Sequence, residues 1–298
     1  MTGRARIGFF VVGLGLLLAV GLIVTACAGA QGPQGAQGQK GDQGPQGPQG
    51  LQGLQGAAPS EADLRTLISK VSNGDAASPD SVARGGRIYD TWWKEVSGVA
   101  EPTGDQALWS LQTTNKRTGL DTWRCKECHG WDYKGKGGAY SKGSHVTGYP
   151  GVVEASQTRS KEELVGILRG AGDYRHNFSS LGDAALNDLA NFLRDGLLND
   201  ASYIDYATKK PVGGNVANGK SRYDGTCASC HGSDGKQINF GTTAAPEYIG
   251  FLASDNPWEF LHKVRAGQPG TAMPSAIVNK WTIQDMVDVV AYSQTLPR

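Results

Sequence analysis

The sequence is short of the residues that would open most chemistries. It has five cysteines, and four of them, Cys125, Cys128, Cys227 and Cys230, lie in two Cys-x-x-Cys-His pentapeptides. The fifth, Cys27, closes an apolar run near the N-terminus. None is left over for a lone disulfide, a thiolate nucleophile or a metal cage. Methionine is scarcer still, with Met1, Met273 and Met286 alone, so the chain before residue 273 has none beyond its first residue. There is no basic excess either: the formal net charge is +1, which gives nucleic acid no electrostatic footprint.

What is present is ordered along the chain. Arg4 and Arg6 precede an uncharged, mostly apolar run from Ile7 to Ala26, the pattern of a secretory signal peptide. Val24-Thr25-Ala26-Cys27 resembles the lipobox of bacterial lipoproteins, a resemblance that implies lipidation of Cys27 and a mature chain starting there. An uncleaved membrane-spanning helix is the competing reading, since about 20 apolar residues can cross a bilayer. Both readings expect the rest of the chain outside the cytoplasm, anchored to a membrane in the periplasm or at the cell surface.

Glycine then recurs at every third position from Gly29 to Gly56, with glutamine and some proline between. This is the Gly-X-Y period that a triple helix requires, because only glycine fits at the crowded axis. A homotrimer through this segment is one expectation, and an extended polar spacer is the other. Thirty residues in polyproline-like form reach about 90 Å. Ser60-Glu61-Ala62-Asp63 reads as the cap of a short helix carrying Leu64, Leu67, Ile68 and Val71, and a small polar linker follows to residue 80.

The remaining chain reads as two helical modules. In the second, Asn218-Gly219 leads a helix through Tyr223 into Cys227; Asn256-Pro257 and Thr282-Ile283-Gln284-Asp285 open two more helices. In the first, Gly85 and Tyr89 parallel Gly219 and Tyr223, Ser160-Lys161-Glu162-Glu163 starts a helix ending near Arg169, and Leu186, Leu189, Phe192 and Leu193 line a final helix. This spacing suggests an internal duplication. The first module departs from the second in a long insertion, residues 91–124, whose purpose the sequence does not reveal.

The pentapeptides carry the chemistry. Cysteines at i and i+3 stand on one side of a helical turn, where both can form thioethers to one haem, and the following histidine meets the iron. Zinc would need the two pairs to converge, yet 98 residues separate Cys128 from Cys227, and a histidine after each pair is not a ribbon pattern. A redox disulfide would want a single motif in a strand–helix context. Two covalently attached haems c are expected, on Cys125, Cys128 and His129, and on Cys227, Cys230 and His231.

For the second iron the candidate sixth ligand is Met273, in Gly267-Gln268-Pro269-Gly270-Thr271-Ala272-Met273-Pro274. The first module has no methionine. Aligning Arg169 with Arg265 brings His176 close to the Met273 position, and His145, in a glycine-rich loop, is its rival. His262 falls inside a helix, as a core or surface residue. The two sites should then differ in potential, because thioether sulfur favours ferrous iron more than imidazole does.

With these motifs the chain resembles the class I cytochrome c family, used twice, over most of residues 81–298 and most closely from Gly219 to Pro297. The resemblance implies an all-α fold with the first and last helices of each module crossing, at Gly219 with Tyr292 and at Gly85 with Phe192. The expected organisation is a signal peptide (1–26), an anchored Gly-X-Y stalk (27–58), a short helix and linker (59–80), a first cytochrome c-like domain (81–200), a linker (201–213) and a second domain (214–298). The expected function is electron relay between a membrane or periplasmic donor and an acceptor protein, a carrier more than an enzyme. Two rivals stand beside it. One is a dihaem oxidoreductase, although the sulfur-oxidising kind resembling this layout needs a cysteine ligand and a peroxidase needs an open iron, which His176 would close. The other is a structural surface protein built on the collagen-like segment.

Overall fold

The computed structural model describes residues 76–298, which belong to one compact unit. The segments read as signal peptide, stalk and short capped helix, with Cys27, lie outside the described residues. The described chain is helical. No strand forms among the described residues; extended pairing is confined to isolated bridges such as Gly135 with Pro150 and Arg169 with Asn177. No helix among them is long and apolar enough to cross a membrane.

The first helices are α1 (Pro79–Glu95), α2 (Cys125–His129), α3 (Val153–Thr158), α4 (Lys161–Leu168) and α5 (Gly182–Asn191), the last continued by a π-helical turn, Phe192–Gly196. Then follow α6 (Val216–Thr226), α7 (Ala228–His231), α8 (Ile249–Asp255), α9 (Pro257–Ala266) and α10 (Ile283–Ser293). Five of these starts, at Ser78, Ser160, Asn215, Asn256 and Thr282, have a side chain that accepts from an orphan N–H group of the first turn. Ser160 with Glu163, and Thr282 with Asp285, form reciprocal capping boxes. Asn256 caps α9 with Pro257 in its first turn.

The module pattern emerges in two helix crossings. α1 packs on α5 and its π turn, and α6 packs on α10. Each crossing is closest at a glycine. A Cβ on Gly85 would stand 2.0 Å from the Asp188 carbonyl oxygen and 2.6 Å from Phe192 Cβ; one on Gly219 would stand 1.9 Å from the Asp288 oxygen and 2.9 Å from Tyr292 Cβ. Backbones this close exclude any side chain. The resulting cores are separate. One gathers Ile88, Tyr89, Trp92, Leu186, Leu189 and Phe192; the other gathers Tyr223, Leu261, Val264, Met286, Val290 and Tyr292.

The second core also draws in Trp131, Tyr140, Leu198 and Ile204. Within residues 201–213, read as a linker, Ile204 is buried and bridges to Pro211, while most of the other residues are exposed. The join between the cores is polar and aromatic. His262 is buried in α9, where its Nε2–H donates to the Gly86 carbonyl (3.0 Å) and its Nδ1 accepts from the Tyr133 hydroxyl (2.8 Å). Burial holds its pKa down to about 3, so the imidazole is neutral, as this pairing requires. Lys263 reaches Asp90 at 2.6 Å, and Arg124 bonds the other oxygen of the same carboxylate. Burial pushes Asp90 up, but Lys263 and Arg124 outweigh it and hold the carboxyl well below its usual range.

Candidate functional site

The two pentapeptides fold alike. Each cysteine pair lies on a single short helical turn, α2 or α7, ended by a glycine at positive φ (Gly130, 80°; Gly232, 79°). The tyrosine from the preceding long helix anchors that glycine: Tyr89 Oη donates to Gly130 O at 2.7 Å and Tyr223 Oη to Gly232 O at 3.0 Å. The turn and the helix crossing are thereby tied together, which fixes where the histidine emerges.

None of these four cysteines forms a disulfide. Burial pushes Cys125 and Cys128 up to about 12 and Cys227 up to about 11. Burial thus keeps these thiols protonated rather than as thiolates. No group of three His, Cys, Asp or Glu side chains able to hold a metal ion occurs among the described residues. What the thiols do offer is a pair on one face of a turn, with an imidazole beside it.

In the first module His129 faces His176. The ring centres are 6.2 Å apart and the planes nearly perpendicular, at 80°. The Nδ1–H of His129 donates to Pro150 O at 2.8 Å, and that of His176 to Ile167 O at 3.3 Å. With both Nδ1 atoms on backbone carbonyls, Nε2 is each ring's free donor toward a metal. With metal–nitrogen bonds of about 2 Å, two imidazoles across one iron place their centres about 6–6.5 Å apart, so the pair fits a haem iron between them. Burial pulls His129 down to about 4 and lowers His176 as well, which keeps both rings neutral and able to ligate.

His145 is engaged elsewhere. It stacks on Tyr140 with centres 4.4 Å apart, and its Nδ1 lies 3.2 Å from Glu127 Oε1. Glu127, the fourth side chain from the start of Arg124-Cys125-Lys126-Glu127, is fully buried and meets Lys126, Asn115 (3.0 Å) and Arg117 (3.2 Å) as well. Burial pushes its carboxyl up, but His145, Lys126 and Arg117 together hold it well below the usual range. Asn115 and Arg117 come from the 91–124 insertion. The same insertion reaches the distal loop, where Gln106 Nε2 donates to Arg175 O at 2.7 Å, one residue from His176. The insertion thus braces both sides of the first site, a role carried by contacts between distant residues that no local pattern announces.

In the second module Cys227, Cys230, His231 and Met273 line one cavity of about 1050 Å³. Its apolar wall includes Phe240, Ile249, Leu252 and Val264. His231 is lowered by burial, and its buried Nδ1 has no partner. Thiols, imidazole and thioether around a largely apolar chamber of this size fit a haem. The far wall belongs to the first module, with Thr91, Trp93, Arg124 and Lys126 among its residues.

Comparison with known families agrees with the second site. The family model described as cytochrome C oxidase, cbb3-type, subunit III, matches residues 214–292. The chain therefore carries a c-type cytochrome domain, whose cofactor is covalently bound haem c and whose chemistry is haem-based electron transfer. No curated protein and no solved structure matches the chain.

Proposed function

We propose that the protein is an extracytoplasmic dihaem cytochrome c that relays electrons between a membrane or periplasmic donor and an acceptor protein. The observation that carries the second haem is the facing pair His129 and His176, 6.2 Å apart beside Cys125 and Cys128. Haem iron supplies the one-electron chemistry, alternating between ferric and ferrous. The chain supplies two thioether anchors per site, neutral imidazoles held by carbonyls, and ligand sets of different softness. His129 and His176 serve the first iron, His231 and Met273 the second. Two imidazoles favour the ferric state relative to imidazole and thioether, so the first site has the lower potential. If His129 and His176 both held an iron there, no position would be left for a substrate, which favours relay over peroxide or sulfur chemistry.

The anchoring proposal rests on sequence: Cys27 tethers the mature chain to a membrane, and the Gly-X-Y segment 29–56 holds the haem modules away from it, as a spacer or as the shaft of a homotrimer. A second reading, a cytochrome subunit of a larger oxidase, is favoured by the description of the matched family; an oxidase complex retained on purification of the tagged protein from its own membranes would select it.

The test is haem stoichiometry with a redox titration. The mass of the purified protein and its pyridine haemochrome should give two thioether-linked haems per chain. The titration should resolve two one-electron waves, the lower one lost with Cys125→Ala and Cys128→Ala together. One haem per chain would refute the dihaem reading.

A further inference from the structure

Shortly after the first pentapeptide the chain holds a residue in a backbone conformation that does not suit it. Tyr133 has φ 64°, in the left-handed region, where a bulky side chain is strained. The matching position in the second module, four residues after its histidine, is Gly235 at φ 75°, which adopts that conformation freely. Strain of this kind persists only where the surroundings over-determine it. At Tyr133 the fixing groups come from the second module. The side chain is buried, its hydroxyl donates to His262 Nδ1 at 2.8 Å, and Arg265 Nη1 donates to the same oxygen at 3.4 Å. Both partners lie on α9.

The backbone of Tyr133 leads to the proximal histidine of the first site. Its carbonyl accepts from Val152 N at 2.8 Å, and Gly135 N donates to His129 O at 2.7 Å. Gly135 also bridges to Pro150, so closely that a Cβ on Gly135 would stand 2.6 Å from the Pro150 carbonyl carbon. These contacts hold Pro150 O where it accepts the Nδ1–H of His129 at 2.8 Å. In the second module the matching contacts are looser. Ile249 N reaches Gly235 O at 3.3 Å, the Glu247 carbonyl accepts from Phe240 N, and His231 Nδ1 has no partner.

A carbonyl on the outer nitrogen of a ligating imidazole makes the ring more basic, which favours ferric iron. Resting on the dihaem reading, we propose that α9 of the second module, through His262 and Tyr133, holds the Pro150 carbonyl on His129 and so keeps the potential of the first haem low. Tyr133 and His262 are positioning residues. The second module thereby sets a property of the first site without touching either of its ligands.

The test uses the full-length holoprotein. Haem content is measured first; fewer than two haems in the unmodified protein defeats the dihaem reading, and this inference with it. Tyr133→Phe removes the hydroxyl and keeps the ring. His262→Leu removes the acceptor from the other module, and His262→Gln returns an acceptor and an N–H donor.

With two haems in place, Tyr133→Phe and His262→Leu should each raise the ferrous-to-ferric ratio of the histidine-ligated haem about threefold or more at fixed applied potential. The His129 Nδ1 proton should exchange with solvent about tenfold faster, followed by NMR. The double variant should shift no further than either single one, because both break the same bond. His262→Gln should lie nearer the unmodified protein, and in Tyr133→Phe the methionine-ligated haem should keep its potential. Loss of the first haem alone from Tyr133→Phe and His262→Leu, with His262→Gln retaining it, is the stronger form of the same result. The proposal is overturned if both single variants unfold more readily in urea yet leave the first haem's potential and the proton exchange unchanged. It is equally overturned if the two shifts add in the double variant, or if both haems are lost together.

Discussion

In the first module the histidine after the cysteine pair donates its Nδ1–H to a carbonyl, His129 to Pro150 at 2.8 Å, and a second histidine faces it. In the second module His231 has no such partner, and a wide cavity leads to a methionine on a loop. The frames beneath are nearly superimposable in kind: a glycine at each crossing, a tyrosine bonded to the glycine that ends each pentapeptide. The difference lies in what surrounds the frame. The first module spends its insertion on bracing the proximal turn through Glu127 and the distal loop through Gln106. The second has no insertion and takes a wall from its neighbour. The two frames thus differ in what surrounds them, while the glycine crossing is alike in both.

This comparison can be broken first at the ligands. On the proposed dihaem reading, His176→Ala should turn the first site's spectrum from low-spin to high-spin ferric, with the spectrum of the second site unchanged. His145→Ala should leave both low-spin spectra in place; bis-imidazole signals surviving in His176→Ala but lost in His145→Ala would reverse the assignment. The crossings come next. Gly85→Ala and Gly219→Ala each force a Cβ to about van der Waals overlap with a backbone oxygen, 2.0 and 1.9 Å away, and each should cost about 3 kcal/mol or more in denaturant unfolding. A large loss at one glycine and a small one at the other would show that the frames are not equivalent.

A third measurement probes a group the second module has no counterpart for. Asp200 is buried, and burial pushes its carboxyl up to about 8. Below about pH 4 both folded and unfolded chains hold this proton. Between about 4 and 8 the unfolded chain releases it and the folded one retains it, so stability falls as pH rises through the folded value. Asp200→Asn removes that dependence. Relative to the unmodified protein it should gain roughly 5 kcal/mol between pH 4 and pH 9, read from urea midpoints; a difference that stays constant with pH would show that Asp200 is ionised in the fold. The smallest effect is at the tyrosines. Tyr89→Phe and Tyr223→Phe each lose one hydrogen bond to a glycine carbonyl, about 1 kcal/mol, with the larger loss at Tyr89, whose bond is the shorter.

Much of the frame was legible because it is built locally. Ser160 with Glu163, Asn256 with Pro257 and Thr282 with Asp285 announce helix starts within four residues, and the structure caps its helices there. The crossings at Gly85 and Gly219 could be read because helices packing at backbone distance leave room for hydrogen alone. The cysteine pairs and their histidines are local signals of five residues each, and the structure folds both on a short helical turn ended by a glycine. The purpose of residues 91–124 could not be read, since it depends on Asn115 meeting Glu127 and Gln106 meeting Arg175 across folded space. His262 was recognisable as a helical residue, but its bonds to Tyr133 and Gly86 exist only once the two cores are joined. Helix α8 and the packing of Ile204 were missed for the same reason: short apolar segments declare themselves through partners far along the chain.

The bond between Tyr133 and His262 spans 129 residues. A chain made from its N-terminus presents Cys125, Cys128 and His129 long before α9 exists to cover Trp131 and Tyr133, and domains form in that order during synthesis. The first pentapeptide therefore passes through an interval in which Trp131 and Tyr133 beside it are not yet covered by α9. Arrival of the last helices ends that interval. The seam thus makes the surroundings of the first pentapeptide depend on helices that lie near the end of the chain.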